Sequence, residues 1–121
     1  MHLIEKILIG IVALEHIYIL WLEMFAWETA GKKAFRSIPK ELFGPTKVFA
    51  ANQGLYNGFL AAGLIWTLII QDAEWAQNIA LFFLGCVAVA GIYGGATADK
   101  SIFVKQGVPA IIAIVVVLLV G

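Results

Sequence analysis

The sequence predicts an all-α integral membrane protein in which one domain forms a bundle of four transmembrane helices. Of its 121 residues, 62% are hydrophobic and 13% are charged, whereas soluble domains are about 45–50% apolar and about 25% charged. Four windows, at residues 7–27, 46–70, 75–98 and 101–121, are long and mainly apolar. A spanning helix needs about 20 such residues. Because the windows are long and lack period-two alternation, they favour helices over a barrel.

The first window is predicted to be a retained span and not a cleaved leader. No small-residue cleavage site follows it, since Trp21, Glu23 and Phe25 occupy that zone. A helical turn of about 100° per residue places Glu15, His16 and Glu23 on one face. Ionisable groups are costly in a bilayer core, so we expect this face to point into the bundle.

The second window carries a polar face and, opposite it, a ladder of small residues. The polar face comprises Asn52, Gln53, Tyr56 and Asn57, and the ladder comprises Ala50, Gly54, Gly58 and Ala62. Small residues allow helix backbones to approach closely, so the ladder is predicted to be a packing surface. Gly91 and Gly95 in the third window predict a second such surface.

Short connections and basic residues predict how the helices are arranged. The turns at 71–74 and 97–100 are too short for anything but antiparallel neighbours. Lysine and arginine concentrate in cytoplasmic loops of membrane proteins. With four spans, Lys6 falls on the side of the termini, and the other side holds Lys32, Lys33, Arg36, Lys40, Lys47, Lys100 and Lys105. Both termini are therefore predicted to lie outside the cytoplasm.

Polar residues from all four helices fall at compatible depths when a rise of about 1.5 Å per residue is applied. The predicted site comprises Glu15, His16, Tyr18, Glu23, Asn52, Gln53, Tyr56, Asn57, Tyr93 and Gln106. The simplest geometry is a cavity that opens to the cytoplasm and narrows towards Glu15 and His16. Pro109 removes a backbone donor beside this cavity, which favours a kink in the fourth helix.

A purely structural interpretation of the same residues stays open. Amides in membrane bundles often bond across helices only to hold them together. The ionisable groups could likewise form a neutralised network, with a protonated carboxyl bonded to the imidazole of His16 or with Glu23 paired to Lys105.

Four segments carry a family resemblance. They are LEHIYI at 14–19 followed by EMF at 23–25, NQGLYNGFLAAG at 52–63, GIYGGAT at 91–97 and KQGVPA at 105–110. Together they resemble the small bacterial and fungal membrane proteins grouped as domain of unknown function 1304. The resemblance covers essentially the whole chain, and the stretch at 52–57 is specific. It implies a four-span inner-membrane protein and no particular activity.

Three functions compete. The first is binding of a small, partly apolar molecule, with transport coupled to protons carried on Glu15 and with a second copy completing the path. The second is a membrane enzyme that acts on a lipid-like substrate through His16 and a carboxylate. The third is an accessory subunit whose polar face contacts a partner.

The expected partners are the lipid bilayer, a small lipophilic ligand and further copies of the chain. A metal site at Glu15, His16 and Glu23 is weakly supported because a second histidine inside the membrane is missing, so neither a metal nor a cofactor is predicted. The formal net charge of zero argues against nucleic acid as a partner, since such proteins need a basic face.

Overall fold

The computed structural model describes all 121 residues, and every regular element in it is helical. Helix α1 (Leu3–Phe25) is followed by the short α2 (Ala30–Ala34) and a 3-10 turn at Lys40–Leu42. The chain then forms α3 (Lys47–Ile69), α4 (Ala73–Thr97) and α5 (Lys100–Val120). The predicted all-α class is confirmed, and α1 begins at Leu3 instead of Ile7.

Three helices, α1, α4 and α5, are long and apolar enough to cross a membrane, which indicates a membrane protein. Helix α3 has 23 residues, as α1 does. Its amides, Asn52, Gln53 and Asn57, lower its mean hydropathy, so α3 is not among the three. The fold alone therefore establishes three candidate spans.

The connections gather at two ends of the molecule. Met1, Ala73 and Gly121 line one concavity, so both termini and the α3–α4 turn share one end. Ser37 and Asp99 line another, which places the α1–α3 connection and the α4–α5 turn at the opposite end. We call the second end the loop end.

Helices α1 and α3 pack together through the glycines of the small-residue ladder. A Cβ added at Gly54 would lie 2.7 Å from Cγ of Met24, and one at Gly58 would lie 2.6 Å from Cδ1 of Leu20. The prediction of a packing surface is confirmed at these glycines, whereas Ala62 is exposed. The apolar core beside it joins all four long helices through Ile9, Val12, Ala13, Leu64, Ala80, Leu84, Val87, Ala88, Ala110, Ala113 and Val117.

Helices α4 and α5 cross in backbone contact at Gly91 and Gly107. A Cβ at Gly91 would lie 2.5 Å from N and 2.6 Å from Cα of Gly107. The contact falls at a π-helical turn, Phe103–Gly107, where the N–H of Val108 donates to the carbonyl of Phe103. Pro109 follows directly and has no N–H to complete an α-helical bond to Lys105. The proline thus coincides with a widened turn at the loop end.

The α1–α3 connection is a folded cap with its own aromatic cluster. The ring of Trp27 lies 4.6 Å from that of Phe43 and 5.4 Å from that of Phe35, measured between centroids. Nε1 of Trp27 donates to Oγ1 of Thr46 at 3.1 Å, and Phe43 is fully buried. These contacts hold the cap against the bundle and fix one wall of a cavity at the loop end.

Candidate functional site

A cavity of about 260 Å³ lies at the loop end, between α1, the cap and the first turns of α5. Eight of its 14 lining residues are hydrophobic, and a mostly apolar wall with a few polar groups is typical of small-molecule sites. The six polar lining residues are Glu15, Ser37, Asp99, Ser101, Lys105 and Gln106, and Tyr18, one of the eight hydrophobic residues, adds a hydroxyl. The cavity is therefore suited to a ligand with an apolar body and few polar atoms.

Glu15 lies at the deep end of this cavity. Leu22, Ile19 and Glu15 line it from the loop end inwards, and the helical rise puts Glu15 about 10 Å deeper than Leu22. Oε1 of Glu15 is buried and has no hydrogen-bond partner. Leaving a buried polar atom unpaired costs about 1–3 kcal/mol, so this oxygen is the natural acceptor for a donor group on a ligand.

Asp99 and Lys105 place opposite charges among the residues that line the outer part of the cavity. The backbone N–H of Ser101 donates to Oδ1 of Asp99 at 2.9 Å. This hydrogen bond lowers the pKa of the Asp99 carboxyl, with further contributions from the hydroxyls of Ser101 and Ser37 and from Lys105. Asp99 is therefore a carboxylate near neutral pH, while Glu15 lies deeper and apart from it.

His16 does not line the cavity. Its side chain is 1% exposed, and its Nδ1 donates to the carbonyl of Val12 at 2.8 Å. A carbonyl oxygen only accepts, so the ring proton lies on Nδ1 in this bond. No hydrogen bond joins His16 to Glu15 or Glu23, so the structure does not form the carboxyl–imidazole network that was the structural alternative.

Glu23 is paired with Asn57 between α1 and α3. Nδ2 of Asn57 donates to Oε1 of Glu23 at 2.6 Å, and both residues are buried. The considered pairing of Glu23 with Lys105 is not present: the ion pair in the structure joins Lys47 and Glu28, and Lys105 lines the cavity. This pair has the geometry of a cross-helix bond that holds two helices together.

The remaining predicted residues face outwards. Asn52 and Gln53 are exposed, Tyr56 is 56% exposed and Tyr93 is 70% exposed. None of these four residues lines the cavity with Glu15 in this structure. Gly54 contacts α1, so the side of α3 that carries the small-residue ladder faces α1. The opposite side of α3 therefore points away from the bundle.

The cavity thus gathers Glu15, Tyr18 and Gln106 from the predicted set and adds residues that the sequence reasoning missed. The sequence could have indicated Asp99 and Ser101, because they lie in a short turn close to Lys105 and form a polar cluster with it. No such signal indicated Ser37 and the apolar cap residues, since the fold of the connection decides their position.

Fold and cavity together define an all-helical membrane protein with a small amphipathic cavity at one end of its bundle. The chain belongs to the family described as "Protein of unknown function (DUF1304)", whose model matches residues 10–118. This confirms the resemblance. The chain is 33% identical over 117 residues to the uncharacterized protein YpaA of Lactococcus lactis subsp. lactis (strain IL1403), covering 95% of this chain and 97% of that protein. No solved structure matches the chain.

Proposed function

We propose that this protein is a four-span inner-membrane protein whose cavity binds a small, partly apolar molecule through a donor group that meets Glu15. The observation that carries the proposal is the buried, unpartnered Oε1 of Glu15 in a cavity with a mainly apolar lining. A ligand donor would pair this oxygen, and the apolar wall would hold the rest of the molecule.

The volume of the cavity limits the size of the ligand. Ligand pockets usually measure about 300–1,000 Å³, and this cavity of about 260 Å³ lies just below that range. One liquid water occupies about 30 Å³, so the space exceeds what a single water would fill. We therefore expect a small organic molecule and not a whole membrane lipid.

Proton-coupled transport is the extension of this binding function that we favour over catalysis. Carboxyl groups embedded in membrane proteins often carry protons along a pathway, and Glu15 would have this role. Acid–base catalysis would need His16 at the substrate, but its Nδ1 bonds to Val12 and the ring does not line the cavity.

The length and packing of α3 support its role as the fourth span. Its 23 residues extend over about 34 Å, whereas the hydrocarbon core is about 30 Å thick. It lies against the apolar helix α1 through Gly54 and Gly58, and Asn57 is paired inside the protein. The predominance of lysine and arginine at the loop end supports placing that end in the cytoplasm.

Cysteine labelling on each side of α3 tests this topology. With Cys86→Ala as background, we expect Glu41→Cys to react with a membrane-impermeant maleimide only from the cytoplasmic side. Gln71→Cys is expected to react only from the opposite side. Glu41 and Gln71 are both exposed and flank α3. Labelling of both positions from one side would show that α3 does not cross the membrane.

Native mass spectrometry of the protein gently extracted from its own membrane tests the binding function. We expect a bound small molecule on the wild type and a loss of up to about tenfold in affinity for Glu15→Leu, because this substitution removes the acceptor oxygen and a hydrogen bond contributes about 0.5–1.5 kcal/mol. The control is Glu23→Gln, at a buried carboxyl outside the cavity, which should retain the molecule. Wild-type protein without ligand, or equal retention in both variants, would contradict the proposal.

A further inference from the structure

One side of α3 carries polar side chains that the chain leaves without partners. Asn57 on this helix is paired with Glu23. Asn52 and Gln53 are exposed and Tyr56 is 56% exposed, and none of the three side chains makes a hydrogen bond within the chain. The ring of Phe59, 55% exposed, lies 5.8 Å from that of Tyr56. We call Asn52, Gln53, Tyr56 and Phe59 the α3 outer stripe.

The α3 outer stripe lies at the depth of the membrane interior, a step that rests on α3 being a span as proposed above. Helix α3 begins at Lys47, so the rise of about 1.5 Å per residue puts Asn52 about 7 Å and Tyr56 about 13 Å from that end. The ends of the helix extend only about 2 Å beyond the hydrocarbon core. Lipid tails offer these amides neither donors nor acceptors, so their exposure there is costly.

The stripe is held outwards by the packing of α3. With Gly54 as the angular zero, Asn52 lies near 160°, Tyr56 near −160° and Gln53 near −100°, at about 100° per residue. Turning them inwards would remove Gly54 from its contact with Met24 on α1. The fold of a single chain therefore has no means of covering these polar groups.

We propose that the α3 outer stripe is the contact between two copies of this chain, related by a two-fold axis along the membrane normal. Such an axis sets every residue opposite its counterpart at the same depth. A carboxamide has both donors and an acceptor, so Asn52 can bond to its own counterpart, and Gln53, about 100° away around the helix, can bond to another polar side chain of the facing stripe. The stripe contains no charged residue, so no like charges meet across the axis.

The contact is separate from the cavity. Glu15 and the other cavity residues come from α1, the cap, the α4–α5 turn and α5, whereas the stripe is on α3. The two copies would each retain an open cavity, and ligand binding and association can be measured independently. The labelling of Glu41→Cys and Gln71→Cys shows separately whether the topology itself has failed.

Cysteine cross-linking in native membranes tests the contact. In a Cys86→Ala background, we expect mild oxidation to convert most of Asn52→Cys into a covalent dimer of this chain. The matched control is Val104→Cys, which is 61% exposed on α5 and lies at a similar depth from the loop end. It should remain largely monomeric. Equal cross-linking at both positions, or cross-linking of Asn52→Cys mainly to a different protein, would overturn the proposal.

A second measurement tests whether the amides of Asn52 and Gln53 themselves drive the association. Energy transfer between labelled copies in phosphatidylcholine nanodiscs or vesicles should show association of the wild type. Replacement of both amides, Asn52→Leu with Gln53→Leu, should weaken it by about tenfold or more, since interhelical hydrogen bonds drive association where lipid provides none. The exposed position makes misfolding of this variant an unexpected result, and unchanged helicity would confirm that. Unchanged association would overturn the proposal.

Discussion

Gly91→Ala is expected to destabilise the bundle by about 1–3 kcal/mol, the usual effect of overpacking a core. The new Cβ would lie 2.5 Å from N and 2.6 Å from Cα of Gly107. Both are backbone atoms, which cannot rotate away as a side chain can, so α4 and α5 must separate. Gly91→Leu is expected to prevent folding. Unfolding of the purified protein by titration with a denaturing detergent, followed by circular dichroism, measures the change.

Gly85→Ala is the matched control on the same helix. A Cβ at Gly85 meets nothing within 4 Å, and alanine is favoured over glycine inside a helix by about 0.5–1 kcal/mol. The control should therefore be neutral or slightly stabilising. Equal destabilisation by both substitutions would show that the α4–α5 crossing is not as close as described.

The Gly91 contact also connects the fold to the candidate site. Gly107 ends the π-helical turn that contains Lys105 and Gln106, and both of these residues line the cavity. Displacement of α5 by Gly91→Ala should therefore shift this wall of the cavity as well as lower the stability. If Gly91→Ala loses ligand binding only in proportion to its unfolded fraction, the substitution lowers the stability without shifting the cavity wall.

The sequence specified which residues of α3 share a face, but not which face points inwards. Angular spacing grouped Asn52 with Tyr56 and grouped Gly54 with Gly58. Burial of the polar groups would turn the face with Asn52 and Tyr56 inwards, whereas close backbone packing would turn the face with Gly54 and Gly58 inwards. In the structure Gly54 and Gly58 face α1, and only Asn57, which lies near the boundary of the two faces, is brought to a partner.

The cap could not be predicted from local patterns. Its position depends on contacts between Trp27, Phe35 and Phe43, which belong to separate segments of the connection and come together only on folding. Periodicity did place Glu15 on an inward face and Gln106 at a compatible depth, and both line the cavity. The long helices were therefore easier to predict than the wall that closes the site.

Asn57→Leu is expected to lower the free energy of unfolding by about 1–3 kcal/mol, because it leaves the buried Glu23 carboxyl without its donor. Nδ2 of Asn57 lies 2.6 Å from Oε1 of Glu23. Replacing both residues, with Glu23→Leu added, should recover much of this loss, since two apolar side chains need no partner there. The same detergent titration on all four members of this double-mutant cycle measures the coupling.

Asn52→Leu is the control for that cycle, since it removes an amide five positions away on the outer stripe of the same helix. Under monomeric conditions it should change the stability by less than about 0.5 kcal/mol, as surface substitutions usually do. The two substitutions are then expected to have different effects: Asn57→Leu lowers the stability of the fold, and Asn52→Leu weakens the association of two copies. Additive effects of Asn57→Leu and Glu23→Leu would contradict a direct bond, and Glu23 would again be available as a functional carboxyl.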